Sequence, residues 1–253
     1  MFNKAIIRLP GSNLVHGITT AQLGPPDYQK ALVQHRAYVE ALRQCGLEVT
    51  ELPALPGYPD AVFIEDAALC TPAGAVITRP GAPSRRGEIE GMEQALAPFF
   101  NHIATIEAPG TLEAGDVMMV GDHYYIGLSE RTNAAGARQL IAILEKWNLS
   151  GSVVPLREVL HLKTGLSYLE NNNLLVCGEF VEDPAFAHFN RIVVDPAEAY
   201  AANSVWINGK ALVPAGFPAT QKLVEKAGYE TIALEMSEFQ KLDGGLSCLS
   251  LRF

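Results

Sequence analysis

Apolar residues fall along this chain in two spacings, one near two residues and one near 3.6. Short runs rich in β-branched and aromatic residues, bounded by Gly, Pro, Asn or Asp, predict strands. They cover Ala5–Leu9, Leu47–Leu52, Ala67–Thr71, Ala75–Thr78, His102–Ile106, Val117–Val120, His123–Ile126, Val153–Pro155, Leu166–Glu170, Leu174–Cys177, Arg191–Val194, Ser204–Ile207, Ala211–Val213, Glu230–Leu234 and Leu246–Leu251. Helical spacing predicts helices over Asp27–Cys45, Glu88–Phe100, Thr132–Lys146, Pro184–Asn190 and Thr220–Ala227. In the first helix Ala31, Leu32, His35, Tyr38, Val39 and Leu42 share one face, and Gly46 marks its end.

These elements recur in one order: a hairpin, a helix, then a strand. The hairpins turn at Thr71-Pro-Ala-Gly74, Gly121-Asp122, Asn171-Asn-Asn173 and Asn208-Gly209, the last a strong hairpin signal. Their starts at Asp66, Asp116, Gly165 and Asn203 lie 50, 49 and 38 residues apart, and a half-hairpin starts at Gly244, 41 residues further on. The first strand and helix have no hairpin half before them. Joining that last half to the first strand completes a fifth unit. The expected fold is therefore α/β, a closed propeller of five units with helices outside and the first hairpin strands near the axis. The alternative is a plain α/β sandwich whose spacings coincide by chance. No Pro/Gly/Ser-rich linker divides the chain, so one domain spanning residues 1–253 is expected.

Composition narrows the function classes. At 253 residues, 48% hydrophobic and 19% charged, the chain is globular rather than disordered. No apolar run approaches the ~20 residues of a membrane helix, and the N-terminus lacks an apolar signal region. A cytoplasmic protein with no membrane partner is expected. The net charge of −9 repels phosphate backbones, which argues against nucleic acid; it also attracts cationic small molecules, although solubility alone is the stronger reading of the charge by itself. The four cysteines form no C-x-x-C pair and no zinc spacing with histidine. Cys45, Cys70 and Cys177 read as core thiols. Cys248 differs, because Asp243-Gly-Gly245 precedes it. Comparing Gly165-Leu-Ser-Tyr-Leu169 with Gly245-Leu-Ser-Cys-Leu249 places it in the repeat position of Tyr168.

In a closed ring, matching ends of the inner strands converge. Glu65 and Asp66, Glu113 and Asp116, His161, and Cys248 all lie at such ends. A thiol, an imidazole and several carboxylates suggest nucleophilic catalysis. Carboxylates grip a guanidinium bidentately, so a substrate carrying a guanidinium or amidinium group fits this set. Turn or cap roles for Asp66 and Asp116 are the competing reading.

The segments Val62-Phe-Ile-Glu-Asp66, Ile77-Thr-Arg-Pro-Gly-Ala-Pro-Ser-Arg-Arg-Gly87, Leu112-Glu-Ala-Gly-Asp-Val117, Ser129-Glu-Arg-Thr-Asn133, Leu160-His-Leu-Lys-Thr-Gly165 and Leu242-Asp-Gly-Gly-Leu-Ser-Cys248 resemble the dimethylarginine dimethylaminohydrolase family. That family belongs to the guanidino-modifying pentein superfamily, and the likeness runs nearly end to end. It implies a five-bladed ββαβ propeller and hydrolysis of methylated arginines to citrulline through a covalent S-alkylthiouronium. It implies Cys248 as nucleophile, His161 as acid and base, and Glu113 as its orienting acid. It further implies Asp66 and Glu65 at the guanidinium, and Arg85 and Arg131 at the α-carboxylate. Asp60 and the backbones of Ile18 and Leu242 fall at the amino-acid end, under a lid formed by Gly11–Pro26. The other histidines match no role. Ile18 stands where many relatives carry Leu, and Ala114 where arginine deiminases usually have Gly. No metal-ligand spacing, P-loop or G-x-G-x-x-G occurs in the sequence, so no cofactor is expected, although a soft metal such as zinc could bind Cys248 and His161 as an inhibitor. A homodimer is expected at family level. Arginine deiminase, amidinotransferase and a non-catalytic propeller used for binding are the competing functions.

Overall fold

A computed structural model describes residues Met1–Phe253. Fifteen short strands form five separate three-stranded sheets. In each, a hairpin pairs antiparallel and a third strand returns parallel to the second, as the repeats required. The first blade joins Ala68–Thr71, Gly74–Ile77 and Ile103–Thr105. The second joins Val117–Val120, His123–Leu128 and Ser150–Pro155. The third joins Leu166–Tyr168, Asn173–Val176 and Asn190–Val193. The fourth joins Val205–Ile207, Lys210–Pro214 and Glu230–Leu234.

The fifth blade closes the ring from both ends of the chain. Leu251–Arg252 runs antiparallel to Lys4–Arg8, with Ala5 opposite Arg252, and Glu48–Leu52 runs parallel on the other side. The amides of Asn3 and Lys4 both donate to the Phe253 carbonyl at 2.8 Å. Residues of the first strands of all five blades line one cavity along the axis, among them Leu69, Met118, Ser167, Val205 and Leu251.

Strands of the propeller are covered on both faces, so they read as continuous apolar runs. Ile7 packs with Tyr38 and Leu42 of the helix Tyr28–Gln44, while its neighbour Ile6 points the other way, to Ile77, Met92 and Leu96. The helix starts where the Asp27 carboxylate accepts the Lys30 amide and ends before Gly46, whose φ of +88° suits only glycine. The helix Ala134–Lys146 is capped by Asn133 and packs Leu140 and Leu144 on Tyr124 and Ile126.

Three expected elements differ. The helix expected over Glu88–Phe100 is split into a 3₁₀ segment Pro83–Ile89 and a short helix Met92–Leu96. Gly91, at φ +77°, separates them. The helix expected over Pro184–Asn190 is a single 3₁₀ turn, Pro184–Phe186, because Asn190 already belongs to the next strand. The strand expected over Leu246–Leu251 is mostly a 3₁₀ turn, Ser247–Leu249. Leu246 and Leu249 both enter the core from it, which the turn permits.

Two measurements test this packing. Ile6 is fully buried, so Ile6→Ala should cost about 2–5 kcal/mol, read from urea midpoints at an unchanged slope. His35 lies buried beside Phe239 with Nε2 unpartnered. Burial pushes its pKa down to about 4, against a smaller opposing pull from the Arg8 backbone. The unfolded chain takes up that proton near pH 6.5, so stability present above 6.5 is lost as pH falls toward 4. Between pH 7 and 5 the loss should be about 2 kcal/mol smaller in His35→Gln.

Candidate active site

Each first strand is preceded by a 3₁₀ turn, and these turns crowd one end of the axis. They are Ile64–Ala67, Ala114–Asp116, Leu162–Thr164, Pro196–Ala202 and Ser247–Leu249. Cys248 stands three residues before its strand, as Glu65 and Lys163 stand before theirs. Its structural equivalents are therefore Glu65 and Lys163. The match to Tyr168 is corrected: Tyr168 ends a strand, whereas Cys248 occupies the turn ahead of one.

His161 and Glu113 precede the third and second turns. His161 Nε2 donates to Glu113 Oε2 at 2.7 Å, and Glu113 has no exposed surface. Glu113 Oε1 accepts from the amides of Gly81 (3.0 Å) and Ala82 (3.3 Å) and from Arg131 Nη1 (3.4 Å). Burial works to raise the Glu113 pKa, but His161, Arg85 and Arg131 together hold it well below the usual range. Burial works to lower that of His161, yet Asp66, Asp116 and Glu113 outweigh it and raise it to about 9. The imidazole is therefore protonated at neutral pH. Asp116 stays behind the ring: its Oδ1 accepts the Leu162 amide at 2.9 Å and its Oδ2 the Ser129 hydroxyl at 2.7 Å, which sets the turn that follows His161.

Asp66 and Arg85 form the next part of the wall. Asp66 Oδ1 accepts the Gly115 amide at 3.0 Å, and Oδ2 accepts Arg85 Nη1 at 2.7 Å. A Cβ on Gly115 would lie 2.7 Å from Asp66 Oδ1 and 3.1 Å from the His161 ring, so this crossing needs glycine. Arg85 is almost fully buried. Its Nε and Nη2 fork onto Glu88 at 2.8–3.1 Å, and Nη2 also reaches the carbonyls of Asp60 and Phe63. Burial lifts Glu88 to about 7 against the pull of Arg85. Arg131 is more open; its Nε and Nη2 make no hydrogen bond to the protein.

Cys248 is partly exposed, and its Sγ has two long contacts, the Gly245 amide donating at 3.5 Å and the Ser247 hydroxyl lying at 4.0 Å. Burial first, then Glu65 and Asp66, pushes its pKa up to about 12. Below it, Glu65 accepts Lys163 Nζ at 2.7 Å and Arg252 Nη2 at 3.0 Å on one oxygen, and the Ser247 hydroxyl at 2.8 Å on the other.

The segment from Gly11 to Pro26 lies across the opening. It contains a 3₁₀ turn, Ser12–His16, which the sequence pattern did not show. The Ile18 amide donates to both Asp60 oxygens at 3.0 and 3.2 Å, and the Thr20 amide and hydroxyl donate to Asp243 Oδ2 at 2.6 and 3.0 Å.

The structure thus brings the expected residues together. Ile18, Asp60, Asp66, Arg85, Arg131, His161, Leu242 and Cys248 line one cavity, and Glu113 supports it through His161. Cys248 and His161 also face an adjoining cavity with Glu65 and Asn203. Lys163, Glu88, Asn203, Ser247 and Arg252 were not anticipated. Lys163 and Ser247 had a sequence signal, lying in quoted motifs two residues after His161 and one before Cys248, and Asn203 stood at a hairpin start.

Comparison with known proteins agrees with this geometry. A family model described as N,N dimethylarginine dimethylhydrolase, eukaryotic, matches residues 26–193. The N(G),N(G)-dimethylarginine dimethylaminohydrolase of Pseudomonas aeruginosa is 56% identical over 254 residues, covering 100% of both chains. The protein of that name from Streptomyces coelicolor is 38% identical over 251 residues, covering 98% of this chain and 96% of that one. A crystal structure of the P. aeruginosa enzyme, a cysteine-to-serine mutant complexed with citrulline, superposes with a TM-score of 0.99 over 100% of both chains. The N-terminal domain of ArgZ, a cyanobacterial arginine dihydrolase, shares the fold at 19% identity, with a TM-score of 0.90 over 100% of this chain and 97% of that one.

The Glu113–His161 contact is directly testable. Glu113→Gln removes the closest carboxylate while burial remains, so the imidazole pKa should fall from about 9, as followed by NMR of the ring nitrogens. In the parent protein the pair stabilises the fold fully below the unfolded histidine pKa of 6.5 and loses this effect as pH rises through about 9. The variant should show a smaller alkaline loss that sets in at lower pH, because Asp66 and Asp116 still raise the ring.

Proposed function

The chain belongs to the dimethylarginine dimethylaminohydrolase family, and on that premise we propose that it hydrolyses N-omega-methylated arginines to citrulline and dimethylamine or methylamine. The observation that carries this reading is the convergence of one thiol, one carboxylate-held imidazolium and Asp66 on a single lidded cavity. A flat cation fits between those acids, and its carbon is then presented to sulfur.

The chemistry follows from the protonation states. At rest Cys248 is a neutral thiol, because burial and the neighbouring acids disfavour a second anion. A bound guanidinium offsets those acids and brings the thiolate within reach, so the substrate assists its own activation. The thiolate sulfur attacks the guanidinium carbon. His161, charged as its pKa requires, donates its proton to the departing amine, and an S-alkylthiouronium remains. The neutral His161 takes a proton from water as that oxygen attacks the same carbon. Collapse expels the thiolate and leaves the ureido group of citrulline. Glu113 keeps the ring aimed and stabilises its charged form.

The rest of the cavity selects a free amino acid. Arg131, with two donor positions unspent, receives the α-carboxylate, and Arg85 adds positive charge from behind Asp66. Asp60, with Ile18 and Leu242, surrounds the amino end. Glu65 contributes fixed negative charge at the floor. The whole chain, residues 1–253, acts as one catalytic domain with no cofactor. No helix is long and apolar enough to cross a membrane. We read the protein as cytoplasmic, since its four cysteines are free thiols, and as a homodimer by family resemblance.

Steady-state assays of citrulline release should show turnover of asymmetric dimethylarginine and monomethylarginine well above that of arginine, and none in Cys248→Ser. Faster release from arginine would make the protein a deiminase instead. Arg131→Ala should raise KM by about 10- to 100-fold, the value of a charge-assisted hydrogen-bonded contact. Ultraviolet titration of the Cys248 thiolate should show a lower pKa when a cationic substrate analogue is bound.

A further inference from the structure

Arg252, the penultimate residue, is engaged on the turn that carries the nucleophile. Its Nη1 donates to the Ser247 carbonyl at 3.0 Å, to the Ser250 carbonyl at 3.0 Å and to the Ser250 hydroxyl at 2.8 Å. Its Nη2 donates to Glu65 Oε1 at 3.0 Å. Ser247, immediately before Cys248, is thereby held at every polar group. Its amide donates to Asn203 Oδ1 at 3.0 Å, its carbonyl is taken by Arg252, and its hydroxyl donates to Glu65 while accepting from Asn203 Nδ2.

The same guanidinium acts on charge. The ionisable groups that share the two cavities lined by Cys248 are Asp60, Glu65, Asp66 and Arg85 around the first blade, Arg131 from the second, His161, Lys163 and Cys177 from the third, Tyr200 from the turn Pro196–Ala202, and Asp243. Glu65 is compensated by only two cations, Lys163 and Arg252, both on Oε1. Lys163 reaches it from the third blade. Arg252 reaches it from the strand that closes the ring against Ala5.

We infer that Arg252 is a positioning residue for the reaction: it fixes the backbone ahead of Cys248 and, by compensating Glu65, keeps the thiolate accessible. It contacts neither substrate nor sulfur. A planar fork suits both tasks at once, because one nitrogen serves carbonyls and the other a carboxylate. The closure of the propeller is by this route part of the catalytic apparatus. The inference rests on Cys248 being the nucleophile.

The test pairs kinetics with iodoacetamide alkylation of Cys248 across pH, quantified on the peptide by mass spectrometry. In Arg252→Met, kcat should fall by about 10²-fold, the scale of a small misplacement of a reacting group, with KM little changed. The alkylation profile should move to higher pH, because Glu65 is then under-compensated. Arg252→Lys should restore the profile but not the full kcat, since one ammonium cannot replace the fork. Lys163→Met, which removes the other cation and no contact to a turn carbonyl, should shift the profile in the same direction and keeps the idea testable if Arg252→Met fails to fold. An unshifted profile in the folded variants overturns the inference, as does an unchanged kcat. Absence of citrulline from methylated arginines in the parent protein would instead overturn the proposed function, leaving the alkylation result readable.

Discussion

Buried charges at the axis of this propeller have to be matched, and each finds its match on a different blade. Glu113 reaches His161, and Asp66 takes the Gly115 amide. Asp116 takes the Leu162 amide, and Glu65 binds Lys163 and Arg252. Asn203 spans from the Lys163 carbonyl to Ser247. An unpaired carboxylate in such a place would be strongly unfavourable. The ring of turns is therefore held together by the groups that also form the site, so catalytic geometry and closure of the fold are one arrangement.

The surplus of acids has opposite consequences for the two reacting groups. It raises His161, which makes the imidazole a charged acid at neutral pH. After burial, it also raises Cys248, which keeps the thiol neutral. The segment Gly11–Pro26 is held at the cavity by Asp60, which accepts the Ile18 amide, and by Asp243, which accepts the Thr20 amide.

The two arginines expected at the α-carboxylate occupy different situations. Arg85 has its donors directed to Asp66, Glu88 and two carbonyls, whereas Arg131 meets the protein mainly through one nitrogen and Glu113. Glu88 is responsible for much of this difference. The pair lies within the 3₁₀ segment Pro83–Ile89, three residues apart.

Most strand and helix positions, the fivefold repeat and the joining of the two ends were legible in the sequence, because hydrophobic spacing and turn residues act locally; the 3₁₀ segments at Ser12–His16, Pro83–Ile89, Pro184–Phe186 and Ser247–Leu249 were not. The chemical groups of the site were legible too, since Cys248, His161 and the acids stand at repeated places near strand starts. Their register was not. Sequence similarity set Cys248 against Tyr168, while the folded turns set it against Glu65 and Lys163. Nor did any spacing single out Arg252 or Ser247, or join Glu88 to Arg85. Those assignments depend on which buried charge lies within reach of which donor once five blades have closed, and that distance exists only in three dimensions.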